Sequence, residues 1–317
     1  METILVTGGA GFIGSHVCDA LLEKEKKVVC LDNFNDYYDP EKKKKNIEHN
    51  LKKKNFSVEK VDITNFDDLK KVFQKYKIDK MIHLAARAGV RPSIEQPRLY
   101  FKVNIQGTLN LLELCKEFNI KTFIFGSSSS VYGNNKKIPF SESDITENQI
   151  SPYASSKKAG EQLCRMYSKF YDINITCLRF FTVYGPRGRP DMAPYKFTKL
   201  IYKDKPITMY GDGTSKRDYT FIADIVSGIL SATEKQFKFE IINLGNSDPI
   251  QLKEFIEIIE SILEKKAVIN QKEMPPGDVD ITYADISKAK KLLNYDPSTD
   301  IKTGMKKFIK WYKKLLF

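Results

Sequence analysis

The chain has 317 residues, 41% hydrophobic and 29% charged, which suits one large α/β unit or two modest lobes with a buried core and excludes a disordered chain. No apolar run approaches the ~20 residues of a membrane span, so no membrane partner is expected. The net charge of +12 comes from 44 lysines against 8 arginines. Lysine runs of this kind read as solvated faces or a mobile loop, whereas a nucleic-acid surface would be expected to use more arginine forks.

TILVTG is the first predicted strand, HVCDALLEK a helix with apolar residues at 17, 21 and 22, and KVVCLD a second strand. The polar stretch 35–55, with Lys42 to Lys45 and Lys52 to Lys54, is expected as a surface excursion. FSVEKVD, KMIHLAA, KTFIFGSS and NITCLRFF read as further strands, with helices at 65–75, roughly 98–118 and roughly 152–172. Runs apolar throughout belong to parallel strands buried on both faces. The series is therefore βαβ, and the fold class is α/β with a doubly wound parallel (Rossmann) sheet. After about residue 180, Pro186, Pro190 and Pro194 break this rhythm. Short helices (about 193–203, 222–234, 251–264, 302–316) then mix with short strands (207–210, 241–244, 267–270). The expectation is a Rossmann domain over 1–180 and a smaller mixed α/β substrate lobe over 181–317, with some chain exchange between them.

METILVTGGAGFIG enters a strand without the pattern of a secretory signal. Cys18, Cys30, Cys115, Cys164 and Cys177 form no CxxC and read as reduced, mostly buried thiols of a cytoplasmic protein. His16, His49 and His83 lack ligand spacing, so no metal is expected. Of the eight arginines, Arg87, Arg91, Arg179, Arg187, Arg189 and Arg217 fall in the motif-bearing segments below. In a lysine-using chain, arginine marks places where a planar fork grips an anion, which hints at an acidic small-molecule substrate.

The first strand runs into Gly8-Gly9-Ala10-Gly11-Phe12-Ile13-Gly14, a G-x-x-G-x-x-G spacing between strand and helix. The glycines make a tight turn, let a pyrophosphate approach the backbone and let helix pack on sheet, with the helix N-terminus facing the phosphates. Asp32 ends the second strand about 20 residues on, with Asn33 beside it. A carboxylate there bonds ribose hydroxyls and repels a 2′-phosphate, which favours NAD over NADP. Asp62 and Ile63, ending strand three, would flank the adenine.

Tyr153 and Lys157 are four apart and share one helix face, behind a strand that ends in the hydroxyl run Ser127 to Ser130. A cation near the phenol would favour phenolate, and a serine hydroxyl would orient the substrate oxygen, giving a base that takes a proton while hydride leaves carbon.

These motifs together resemble the extended short-chain dehydrogenase/reductase family over nearly the whole chain. They include TGGAGFIG, Asp32, HLAA (83–86), Asn104 in NIQGT, SSVYG, YxxxK and RDYTFIAD (217–224). The resemblance implies Ser128 as the reactive hydroxyl and Leu84, Ala85, Ala86 and Asn104 at the cofactor, Asn104 as a helix-kink residue. It also implies that Arg217, with YGDG (210–213) and Thr208 and Tyr210, holds a nucleotide-sugar diphosphate. A homodimer through a four-helix bundle of the helices near 98–118 and 152–172 is a further implication.

Sugar-nucleotide dehydratases of that family carry Asp-Glu after the reactive hydroxyl, and the decarboxylases carry a Glu in the same run; here Ser129 and Ser130 follow. Elimination is disfavoured and epimerisation remains. RAGVRPSIEQP (87–97), LRFFTVYGPRGRPDM (178–192) and PPGDVDITYAD (275–285) resemble the UDP-glucuronate 4-epimerases. By that resemblance Thr182, Ser129, Ser130, Arg189 and Arg91 are candidates for a carboxylate pocket, and Asp278 for a substrate contact. The competing expectations are a UDP-glucose 4-epimerase, a UDP-glucuronate decarboxylase, and a non-catalytic Rossmann redox sensor.

Overall fold

The structure, a computed structural model, describes residues 1–273 and 281–315. Seven parallel strands form the main sheet: β1 (Thr3–Thr7), β2 (Lys27–Leu31), β3 (Phe56–Glu59), β4 (Lys80–His83), β5 (Thr122–Ser128), β6 (Asn174–Phe180) and, far along the chain, β10 (Phe239–Leu244). Their order is β10-β6-β5-β4-β1-β2-β3. Between β1 and β6 run helices α1 (Phe12–Glu23), α2 (Pro40–Ile47), α3 (Phe66–Lys75), α4 (Val90–Glu95), α5 (Pro97–Phe101), α6 (Gly107–Glu117) and α7 (Pro152–Tyr171).

Alternation along these strands divides the core between two faces. In β1, Ile4 and Val6 join the cluster under α1, while Leu5 joins the cluster under α3, α6 and α7. Val28 and Cys30 of β2 likewise face one way and Val29 and Leu31 the other. Both faces being covered is why these strands read as unbroken apolar runs.

Two expectations change. The helix predicted over 98–118 is α5, a π-helical turn at Lys102–Gln106 and α6. Asn104 Oδ1 accepts from the Arg87 N–H at 2.8 Å, and its Nδ2 donates to Arg87 O and Ser156 Oγ, both at 2.9 Å. The wide turn fits this inward amide, tying the helix to the β4 loop and to α7. The strand predicted at 241–244 belongs to the main sheet rather than to the smaller lobe, because Phe239 to Leu244 pair with Ile175 to Phe180.

The C-terminal part holds β7 (Thr182–Tyr184), α8 (Ala193–Tyr202), β8 (Ile207–Tyr210), β9 (Lys216–Phe221) and α9 (Ile222–Glu234) before β10. After it come β11 (Pro249–Gln251), α10 (Leu252–Leu263), β12 (Ile269–Lys272), β13 (Ile281–Thr282), α11 (Ser287–Leu293) and α12 (Ile301–Lys314). Strand β9 pairs with β7, β11 and β13, and β8 pairs with β12. The buried Asp218 carboxylate joins these pieces by accepting the backbone N–H groups of Asn246, Ser247 and Ala284 at 2.7, 3.0 and 3.0 Å. Among the described residues, no helix is long and apolar enough to cross a membrane.

Candidate active site

A cleft of about 460 Å³ opens along the C-terminal ends of the sheet strands, where open α/β sheets bind ligands. Its floor is the glycine turn. Gly8 has φ +67°, and a Cβ there would stand 2.8 Å from Ala85 N. A Cβ on Gly14 would stand 2.1 Å from Gly8 O, so only glycine lets α1 seat on the turn. Gly8, Gly11, Phe12, Ile13 and Gly14 all line the cleft, and Gly11 caps α1. Asp32, Asn33, Ile63, Leu84, Ala85 and Ala86 complete this half.

Asp62 is adjacent to the lining, with its carboxylate already engaged. Oδ1 accepts from Thr64 N and Oγ1 at 2.8 and 2.7 Å, and Oδ2 from Asn33 Nδ2 at 2.7 Å. Burial pushes this carboxyl up, but these bonds outweigh it and hold it below the usual range. Asn104 stands behind the cleft wall with the partners given above.

At the other half Ser127 to Ser130, Tyr153, Lys157 and Thr182 share the cleft. Ser128 ends β5 as the cap of a short 3-10 turn, where its Oγ accepts from Ser130 N at 3.2 Å. Ser151 caps α7 by accepting from Ala154 N, which places Tyr153 and Lys157 in the first two turns. Burial raises the Tyr153 phenol above its ordinary value, and the Ser128 hydrogen bond and the Arg189 charge pull it back. Lys157 Nζ donates to Gly126 O at 2.7 Å, and burial lowers its ammonium to about 8. The Arg189 charge thus favours the phenolate as well, a contribution that the Tyr153–Lys157 spacing does not disclose.

The arginines also differ from expectation. Among the described residues, four of the six face carboxylates of the chain itself, Arg87 standing 3.8 Å from Asp36. Arg179 is buried against Glu161 with two bonds of 2.8 Å, and Arg187 bonds Asp19 at 2.7 Å. Arg189 lines the cleft and forks onto Asp191 at 3.0 and 2.6 Å. Arg91 lies outside the cleft lining, 4.9 Å above the Tyr210 ring. Thr208 and Tyr210 stand on β8 and Arg217 on β9, also outside that lining. Arg217 Nη1 donates to Lys216 O at 2.9 Å. Asp278 falls outside the described residues.

Three further lining residues come from the polar stretch 35–55, whose composition predicts a surface excursion. Tyr37, Tyr38 and Lys43 line the cleft. The Tyr37 ring lies 5.3 Å from the Arg189 guanidinium and 5.8 Å from that of Arg87, and its hydroxyl donates to Ala88 O at 2.7 Å. The signal was present: Lys43, Asn46 and Ile47 repeat at helical spacing and are buried together on α2.

Residues 5–308 match the GDP-mannose 4,6-dehydratase family. The chain belongs to this family of extended short-chain dehydrogenases/reductases, and within it sits with the NAD-dependent nucleotide-sugar 4-epimerases. It is 47% identical over 314 residues to UDP-glucuronate 4-epimerase of Thermodesulfobacterium geofontis, covering 99% of this chain and 97% of that one. The crystal structure of UDP-glucuronic acid 4-epimerase from Bacillus cereus, in complex with UDP-glucuronic acid and NAD, superposes with TM-score 0.92. Identity is 41%, with 99% of this chain and 100% of that one covered. UDP-glucose 4-epimerase of Thermotoga maritima, with UDP-glucose, has the same TM-score at 31% identity, covering 100% of each chain.

Proposed function

We propose that this protein is an NAD-dependent 4-epimerase that interconverts UDP-glucuronate and UDP-galacturonate through a bound 4-keto sugar, without loss of CO₂. The observation that carries the reading is one cleft in which Tyr153 and Ser128 meet three further hydroxyls, Ser129, Ser130 and Thr182. Relatives named as UDP-glucuronate 4-epimerases support it.

The glycine turn, Asp32 and the N-terminus of α1 fit the pyrophosphate and adenosine ribose of a dinucleotide. NAD, when bound, supplies the acceptor and donor for the hydrogen exchanged at sugar C4. Tyr153, as phenolate, takes the O4 proton and later returns it, while Ser128 orients that oxygen. A C4 ketone on a uronic acid is a β-keto acid, which loses CO₂ when its C5–C6 bond aligns with the carbonyl π system. Ser129, Ser130 and Thr182 donate to the carboxylate and hold it off that alignment, and none of them is an acid able to promote elimination. Arg217 tethers the diphosphate while the ketose turns its other face. Arg189 acts on the phenol and, with two donors committed to Asp191, presents its remaining N–H groups to the substrate.

The protein works as a cytoplasmic homodimer in this reading. Its five thiols are buried and unpaired, which supports a reducing compartment. Phe101, Met166 and Phe170 on α5 and α7 are 42%, 41% and 65% exposed, which supports a dimer face there.

The test is substrate discrimination. A hydrogen bond to a charged group is worth about 1.5–3 kcal/mol, or roughly 10- to 100-fold. Thr182→Val should lower kcat/KM for UDP-glucuronate by about that factor and leave the basal rate on UDP-glucose unchanged within about twofold. An equal loss on both sugars would defeat the assignment of the hydroxyls to the carboxylate.

A further inference from the structure

We propose that Lys43 and Asp32 act as an opposed pair that sets dinucleotide choice, with Lys43 a latent ligand for a 2′-phosphate. The inference rests on the cofactor reading above and concerns how these residues divide the discrimination.

Asp32 closes β2 and is 5% exposed. Its Oδ1 accepts from the Phe34 N–H at 2.8 Å and faces Lys43 Nζ at 3.5 Å. Lys43 is equally buried, which lysine almost never is without a partner. Its neighbours go elsewhere: Lys42 Nζ donates to the Tyr195 hydroxyl at 2.7 Å, and Lys44 pairs with Glu41. Helix α2 thus selects one lysine of four and turns it inward. The Lys43 ammonium also lies 5.3 Å from the centre of the Tyr38 ring. Among the described residues, the Tyr38 hydroxyl is buried without a hydrogen-bond partner. Lys43, Tyr38 and Asp32 line the same cleft as the glycine turn.

An ammonium has three donors, and 3.5 Å is long for a charge-assisted bond, which runs about 2.7–2.9 Å. Lys43 therefore lowers the cost of burying Asp32 without satisfying itself on it, and the lowered ammonium basicity that burial produces agrees with this. A ribose 2′-hydroxyl meets a carboxylate acceptor at this point. A 2′-phosphate meets that carboxylate as a repulsive charge, but meets Lys43 and the Tyr38 hydroxyl as donors. The exclusion of a 2′-phosphate then rests on Asp32 alone, against a cation already in place. Removing the carboxylate while keeping its shape should expose that cation.

The experiment is fluorescence titration of NADH and NADPH against the parent protein, Asp32→Asn, Lys43→Met and the double variant, with thermal midpoints recorded for each. Asp32→Asn should gain affinity for NADPH by roughly 10- to 100-fold, the worth of one or two charge-assisted bonds. The double variant should lose that gain. Lys43→Met alone should widen the preference for NADH by about tenfold, because repulsion is then unopposed. This arm decides the matter even where Asp32→Asn fails to fold. Equal NADPH affinity in Asp32→Asn and the double variant, or an unchanged preference in Lys43→Met, would overturn the inference. Failure of the parent protein to bind either dinucleotide would overturn the cofactor reading and the inference with it.

Discussion

The ion pair beneath the serine run offers a sharp perturbation. Glu161 lies one turn beyond Lys157 on α7, and both it and Arg179 have side chains 1% exposed. Two bonds of 2.8 Å join them, and Ser127 Oγ donates to the same Glu161 oxygen at 2.7 Å. The Arg179 guanidinium also sits 4.7 Å from the Tyr132 ring. At an effective dielectric of about 20, unit charges at this separation attract by roughly 6 kcal/mol, and breaking such a buried pair costs about 3–5 kcal/mol. Glu161→Gln keeps the shape and removes the charge, so it should take about that much from a total stability of order 5–15 kcal/mol. Urea unfolding followed by circular dichroism reads the loss. The double variant Glu161→Met/Arg179→Met should recover most of it, since an apolar pair of similar volume is often neutral. Turnover should stay down by an order of magnitude or so in the double variant, because Ser127 no longer fixes the approach to Ser128. A Glu161→Gln variant within about 1 kcal/mol of the parent would show that this pair does not stabilise the fold as described.

Three further outcomes are expected. His83 is buried between Thr7 and Thr108, and burial with the nearby Lys157 charge lowers it to about 3. The unfolded chain then binds a proton near 6.5 that the folded chain refuses, so stability should fall as pH drops from about 6.5 toward 3. His83→Gln should flatten that slope in unfolding measured at pH 7 and pH 5, and an unchanged slope would contradict the assignment. Gly14→Ala forces a Cβ onto Gly8 O. It should destabilise the protein by ~1–3 kcal/mol and weaken NADH binding by titration, whereas unaltered affinity would mean that the turn does not carry the cofactor. Phe170→Glu should convert a dimer to a monomer in sedimentation equilibrium; a parent protein already monomeric, or a variant still dimeric, would remove α7 from the interface.

Much of the site is written locally. The glycine turn, Asp32, the hydroxyl run and the Tyr153–Lys157 spacing each depend on neighbours within a few residues, and strands such as β1, β2 and β5 announce themselves by being apolar on both faces. What was not legible depends on contacts across the chain. Lys43 hides in a lysine run whose four members look alike until α2 docks and only one faces Asp32. Arg179 looks like a substrate ligand until Glu161 is placed beside it, and Arg189 shows its commitment of two donors only once Asp191 is in place. Strand β10 looks like part of a second lobe because only its pairing with β6 puts it in the main sheet.

Epimerisation with the carboxyl group retained leaves a product that can be seen directly. The direct measurement is to incubate the purified protein with UDP-glucuronate and a trace of NAD and to follow the anomeric protons by NMR. A galacto-configured uronic acid signal should appear, with no UDP-pentose. A UDP-pentose or its 4-ketose would show that Ser129, Ser130 and Thr182 do not protect the β-keto acid. Turnover of UDP-glucose alone would show that the cleft is built for a neutral sugar.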